Sequence, residues 1–296
     1  MDQIDLSIVK QLLVNCRKTY REIAESLDLS TNAIYSRVQN MINKHMIIAF
    51  TAKPSLLYLK GLNVLICGDS SNTDILNISK KLGQDEHIYF VGNASGNYLY
   101  IDGYLRDISE LHQYTSTTSN VAQISEPLVA IRTVPYRIIE KPLKSLDFKI
   151  LKSLRDNARK PISEIAEEVG ISAKTAAKYI DRMMEYHLVE FSINFAPRTE
   201  GIIVSSFHIY LPPKDDFSIQ YQKINQKYSD NILYLQIFSN IPNLIIITAL
   251  TSSNEETANL YSRLQEEHFK KVEHHIMYYG HFFETWRDIL YKKMIE

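Results

Sequence analysis

Residues 4–47, IDLSIVKQLLVNCRKTYREIAESLDLSTNAIYSRVQNMINKHMI, align without a gap to residues 146–189, LDFKILKSLRDNARKPISEIAEEVGISAKTAAKYIDRMMEYHLV. Asp5 answers to Asp147, and the offset of 142 holds throughout. In the first copy Ile4, Ile8, Leu12 and Leu13 follow helical spacing, as do Ile23, Ala24 and Leu27 in a second short segment. Asp28 and Leu29 make a tight turn, and Ser30 is placed to cap a third helix whose apolar positions are Ile34, Val38, Met41 and Ile42. The second copy repeats each step, with Ser172 before Ala176, Ile180, Met183 and Met184. Three short helices with a tight turn before a capped third one form the helix-turn-helix pattern, which predicts two DNA-facing heads on one chain.

Strand-like runs follow each head, Met46 to Ala52 and Leu188 to Ala196, then Pro54 with Gly61 and Pro197 with Gly201. Beyond them each half alternates strand, helix, strand, strand, helix, strand, the order of the ferredoxin-like split βαβ unit. The chain is therefore expected to be α+β, two winged helix-turn-helix domains alternating with two ferredoxin-like βαββαβ domains. The predicted boundaries are 1–52 for the first head, 53–135 for the first ferredoxin-like domain, 136–144 for a linker, 145–196 for the second head, 197–280 for the second ferredoxin-like domain and 281–296 for a C-terminal helix. That last segment sets Phe282, Phe283, Trp286, Ile289 and Leu290 roughly on one side, which predicts that it covers a sheet or makes a subunit contact.

A length of 296 residues, 45% apolar and 23% charged, is that of an ordinary globular chain with room for several cores. The longest apolar runs, such as Leu244 to Leu250, are too short to span a bilayer, and no secretion signal stands at the start. Two cysteines, Cys16 and Cys67, make neither a disulfide framework nor a four-ligand zinc site, so a cytoplasmic location without a membrane partner is expected. The net charge of −1 leaves phosphate contact to local basic faces. From Ser30 to Lys44 there is no acid. From Ser172 to Tyr186, Lys174, Lys178 and Arg182 stand against Asp181 and Glu185.

The expected DNA contacts of the first head are Ser30, Thr31, Asn32, Tyr35, Ser36, Arg37, Gln39 and Asn40, because Asn and Gln pair bidentately with adenine and hydroxyls reach bases or phosphates. Those of the second are Ser172, Lys174, Thr175, Lys178 and Arg182, a face suited to anchoring on phosphate. No Ser/His/Asp set or spaced acid pair marks a catalytic site, and no cofactor motif is present. His268, His274, His275 and His281 invite a metal reading, but His274 and His275 are strand neighbours and point to opposite faces, so no metal site is expected. The glycines from Gly92 to Gly96 precede a strand and read as a hairpin turn rather than a dinucleotide loop.

Both copies resemble the start of the Lrp/AsnC, or feast/famine, transcription regulators. The shared positions are Asp5 and Asp147, Asn15 and Asn157, Arg17 and Arg159, the Glu-Ile-Ala triplets at Glu22 and Glu164, and the caps Ser30 and Ser172. The resemblance covers nearly the whole chain, twice, and implies a sequence-specific regulator of double-stranded DNA. It also implies βαββαβ domains that pair, here as an intrachain pseudo-dimer, within a homo-oligomer that senses a small amino-acid-type effector. Gly92, Gly96 and Tyr98 resemble the family's glycine-containing effector turn, whereas the second half has Ser239, Asn240, Ile241 and Pro242. His45 and His187 stand where the family has glycine, and Tyr179 where the first copy has Arg37. Two other readings remain open: an enzyme like the siroheme decarboxylases, which resemble the same architecture and would need the histidines and Arg287 in one pocket, and a ligand-sensing adaptor that does not bind DNA.

Overall fold

A computed structural model describes residues 1–133, 141–197, 201–213 and 217–295. Residues 136–140 of the expected linker lie outside these. The first head comprises α1 (Gln3–Val14), α2 (Tyr20–Leu27), α3 (Thr31–Asn43) and strand β1 (Ile47–Pro54). There follow β2 (Leu62–Asp69), α4 (Ile75–Leu82), β3 (Ile88–Ala94), β4 (Tyr98–Leu105), α5 (Leu111–Ala122) and β5 (Leu128–Ile131). The second head repeats the first as α6 (Ser145–Ser153), α7 (Ile162–Val169), α8 (Ala173–Glu185) and β6 (Val189–Phe195). The second half runs β7 (Ile203–Tyr210), α9 (Phe217–Lys227), β8 (Ile232–Ile237), β9 (Leu244–Thr251), α10 (Asn254–Gln265) and β10 (Lys271–Phe282), and a last helix, α11 (Trp286–Ile295), follows. No described helix is long and apolar enough to cross a membrane.

The chain divides into two compact units, the first holding Met1–Leu59, Tyr136–Glu200 and Arg287–Glu296. Each head in it buries its periodic apolar face: Leu6, Ile8, Val9 and Leu12 meet Ile23, Ala24, Ile34, Val38 and Met41 in the first, and Ile150, Leu151, Ile165, Ala166, Ala176, Ile180 and Met183 do so in the second. Both third helices end in a left-handed histidine, His45 at φ 53° and His187 at φ 50°, a conformation histidine adopts more readily than a β-branched residue would. The two heads are joined by antiparallel pairing of β1 with β6, centred on Thr51 opposite Ser192. An extra residue, the exposed Ile48, bulges out of β1 between Ile47 and Ala49, so that beyond it the copies correspond at one residue less than before. The winged helix-turn-helix expectation makes these strands the wings; their main-chain bonds are spent on each other.

The last helix also packs in this unit. The Arg287 guanidinium donates to the Pro54 carbonyl at 2.8 Å and pairs with Glu190, Lys53 pairs with Asp288, and the Tyr291 hydroxyl donates to the Leu151 carbonyl at 3.0 Å. The helix predicted over 281–296 thus begins at Trp286, because β10 continues to Phe282 through pairing with β3. From Arg287 on its partners are the ends of the head strands and α6, while just before it Phe283 packs on the sheet core, as expected of this segment, and Trp286 Nε1 donates to the Tyr104 carbonyl of β4 at 2.7 Å.

The second unit, Lys60–Pro135 with Gly201–Trp286, holds one eight-stranded sheet in the order β5-β2-β4-β3-β10-β7-β9-β8. Each half contributes four consecutive strands of that order, the split βαβ arrangement, and β3 of the first half pairs with β10 of the second. At the other edges Thr133 N donates to Ile237 O and Ser239 N to Ile131 O, both at 2.9 Å, while the Asn240 side chain bridges Ile131 N and Val129 O, so the sheet closes on itself. Outside, α4 and α5 cover one core with Ile78, Leu82 and Tyr114, and α9 and α10 cover another with Ile224, Leu260 and Leu264. Inside, Leu65, Cys67, Tyr100, Phe238, Leu244 and Ile246 form a third.

Candidate nucleic-acid interface

The surface expected to face DNA is the outward face of each third helix. In α3 the Ser30 hydroxyl accepts from Ala33 N at 3.2 Å and serves as the cap, leaving Thr31, Asn32, Tyr35, Ser36 and Asn40 exposed and Gln39 half-buried. Tyr35 stands 52% exposed with its ring edge against Tyr20 at 5.8 Å, an aromatic held in position rather than free to swing. In α8 Ser172 caps in the same way, accepting from Thr175 N at 3.1 Å, and the half-buried Thr175 hydroxyl lies 2.9 Å from it. Lys174 and Lys178 are exposed, as are Asp181 and Glu185.

Two expected DNA contacts are engaged inside their own heads. Arg37 reaches back to Asp5 and Asp2, both at 2.8 Å, and only 31% of its side chain is exposed. Arg182 pairs with Asp147, whose side chain is fully buried, and donates to the Pro142 carbonyl at 3.3 Å. Asp5 and Asp147 are equivalent, but the arginines are not: Arg182 stands one turn beyond Tyr179, the counterpart of Arg37, and its guanidinium lies 5.7 Å from that ring. One turn apart on a helix is the same face, so the second head regains the clasp that Tyr179 gives up. Burial raises the Asp147 carboxyl above its ordinary range despite the arginine, which measures how costly that site is for a charge.

The candidate effector turn is split by the structure. Gly96 lies at φ 75° with open space where a side chain would be. Gly92, in β3, is a packing residue: it pairs with Gly280, and the Phe90 ring lies over both. Tyr98 faces the closed sheet's interior, its hydroxyl donating to Cys67 Sγ at 3.4 Å and its ring stacked 4.0 Å from His275. An open cleft of about 390 Å³ near Arg132, Tyr221 and Leu235 lies at another place, and among the described residues lining it the one cation, Arg132, is held by Asp102 at 2.7 Å and the Tyr89 hydroxyl at 2.8 Å.

The interior also brings His275 together with two groups, His208 and Glu273, that no motif in the sequence marks. His208 and Glu273 are direct cross-strand partners, and His275 lies two residues along on the same face. His208 is fully buried; its Nε2 is 2.9 Å from the Tyr100 hydroxyl and its Nδ1 3.5 Å from a Glu273 oxygen. Glu273, bonded to His208 and paired with Lys271, is held down at about 2, and burial lowers His275 to about 4. His274, as expected for its neighbour, faces the other way and stacks on Phe207 at 4.4 Å. The alternation Glu273, His275 was visible in the sequence. His208 enters only through the register of β7 with β10.

Residues 1–42 match the AsnC-type helix-turn-helix domain and residues 143–190 the winged helix-turn-helix DNA-binding family. The chain is 30% identical over 101 residues to an uncharacterised HTH-type transcriptional regulator of Pyrococcus horikoshii, covering 33% of this chain and 67% of that protein. It is 26% identical over 167 residues to the HTH-type transcriptional regulator Ptr1 of Methanocaldococcus jannaschii, covering 55% of this chain and 99% of that one. Among solved structures the siroheme decarboxylase NirDL superposes with a TM-score of 0.60 at 10% identity, over 99% of this chain and 98% of that chain, a likeness of fold alone.

Proposed function

The chain belongs to the Lrp/AsnC family of helix-turn-helix transcription regulators, and from that premise we propose how its two DNA-binding heads divide the work. The first reads bases and the second anchors on phosphate. The observation that carries this is the contrast between the third helices. That of the first head presents Thr31, Asn32, Tyr35, Ser36, Gln39 and Asn40 with no acid among them. That of the second presents Lys174 and Lys178, which bind any phosphate, beside Asp181 and Glu185, which oppose close approach to DNA. Heads held by one paired strand element suit half-sites about one helical turn (~34 Å) or a multiple apart. The preferred operator is then an imperfect palindrome or two unlike half-sites. Selection of binding sites from random DNA with the full chain tests this, and a perfectly symmetric consensus would sink it.

A regulator of this kind works where the DNA is, so we place it in the cytoplasm, acting as a homo-oligomer of intrachain pseudo-dimers. The exposed turn at Gly96 is the proposed contact for a small amino-acid-type effector. An enzymatic reading, decarboxylation of siroheme as in the siroheme decarboxylase NirDL, has only the shared fold behind it. Arg287, which that reading needs, is paired with Glu190 and the Pro54 carbonyl among the heads. Loss of a carboxyl group from siroheme on incubation with the purified protein would revive it.

A further inference from the structure

We propose that His208, Glu273 and His275 form a binding site for one divalent transition-metal ion of the zinc class inside the closed sheet. This goes beyond the DNA-binding reading and does not depend on it. Three potential ligand atoms, one from each residue, lie within 4.8 Å of one another. Two neutral imidazoles and a carboxylate are the donor set that zinc, ferrous iron and their neighbours prefer; calcium and magnesium favour all-oxygen sites.

The polar bookkeeping points the same way. His275 Nε2 is buried without a hydrogen-bond partner and His208 Nδ1, also buried, has only the long 3.5 Å approach to Glu273; buried ring nitrogens so poorly satisfied are uncommon and costly. His208 Nδ1 faces Glu273, the direction in which a shared ion would sit. Its other nitrogen, Nε2, is set by the Tyr100 hydroxyl at 2.9 Å, and Ser206 in turn hydrogen-bonds Tyr100. In the tautomer with its proton on Nε2, His208 donates to the Tyr100 oxygen and keeps a lone pair on Nδ1 for the ion; outer partners of this sort orient metal-bound histidines. Tyr98 stacked on His275 fixes the second ring. Lys271 holds one Glu273 oxygen from a largely exposed position, while the other lies 3.5 Å from His208 Nδ1 and accepts from the Tyr210 hydroxyl at 3.3 Å, already facing the rings.

All three ligands stand on β7 and β10, so a bound ion crosslinks neighbouring strands and raises the stability of this unit. The test uses the full chain stripped with a chelator and then titrated with Co(II), Zn(II) and, separately, Mg(II). One Co(II) per chain with the visible d–d bands of a nitrogen and oxygen site, displaced by Zn(II), is expected, with a rise in thermal midpoint from Zn(II) and none from Mg(II). Glu273→Gln and His275→Gln should abolish both signals, and His274→Gln, on the opposite face, should keep them. Should Glu273→Gln fail to fold, His275→Gln and the Co(II) spectrum decide. Absence of stoichiometric Co(II) binding, or unchanged binding by His275→Gln, overturns the proposal.

Discussion

Arg17 and Arg159, equivalent residues of the two heads, reach across and hold each other's turns. Arg17 donates to the carbonyls of Ala158 at 2.6 Å and Lys160 at 3.2 Å, and Arg159 to those of Cys16 and, at 2.9 Å, Lys18. The exchange repeats in the backbone, where Cys16 N donates to Phe191 O and Ala158 N to Phe50 O, both at 3.0 Å. With the β1 and β6 pairing this gives the heads an internal two-fold relation, and their orientation follows from main-chain bonds rather than from a hinge.

The clasp is unequal, which makes it testable. Arg159 also lies over the Tyr20 ring at 4.3 Å and near Phe50 at 5.5 Å, while the position matching Tyr20 in the second head is Ile162. Charged hydrogen bonds contribute about 1.5–3 kcal/mol and a guanidinium over a ring roughly another 0.5–2 kcal/mol. Arg159→Met should therefore lower unfolding stability more than Arg17→Met, and each should weaken binding to a two-half-site operator more than to a single half-site. Urea unfolding and fluorescence anisotropy measure the two effects. Equal stabilities for wild type and Arg159→Met would show that the clasp does not hold the heads.

Local patterns along the chain carry the elements of the fold but not how they meet. The repeat, the caps and the left-handed His45 and His187 were legible because each depends on residues a few positions apart. The Arg37 to Tyr179 exchange was visible too, but its compensation was not. Seeing it requires knowing that the third helix of each head meets an acid of the first, Asp5 or Asp147, so that Arg182 one turn later serves the same partner. The joining of β1 to β6, the seat of α11 and the triad of His208 with Glu273 and His275 all depend on contacts between distant segments, and no spacing along the chain encodes those.

The two arginine and aspartate pairs should differ sharply in cost. Arg37 is 31% exposed and shared between Asp5 and the 53% exposed Asp2, so Arg37→Met should cost about 1 kcal/mol or less, as solvent-accessible pairs do. Asp147 is fully buried, so Arg182→Met strands a carboxylate without its cation and should cost roughly 3–5 kcal/mol. Since burial raises the Asp147 carboxyl in the folded state, its contribution is greatest at acid pH and is lost as pH rises from its unfolded value through the higher folded one. The double variant Asp147→Asn with Arg182→Met should thus recover most of the loss at neutral pH. Chemical denaturation at pH 7 resolves these outcomes, and similar losses for Arg37→Met and Arg182→Met would contradict the burial argument.

Reading and anchoring leave different signatures in DNA binding. Asn40 is exposed on an acid-free face, so Asn40→Ala should flatten base preference, with about 1–3 kcal/mol of discrimination lost at each base it contacts. Lys178 is an exposed point charge without a planar fork, so Lys178→Ala should weaken binding to all sequences alike and reduce the slope of affinity against salt by about one ion. Neither side chain supports the core, so both variants should unfold at the wild-type midpoint, which separates loss of contact from loss of fold. Competition binding across a panel of single-base operator variants, repeated at several salt concentrations, measures both signatures together. If both variants lose specificity equally, or if Asn40→Ala changes only the salt slope, the assignment of reading to the first head and holding to the second is reversed or void.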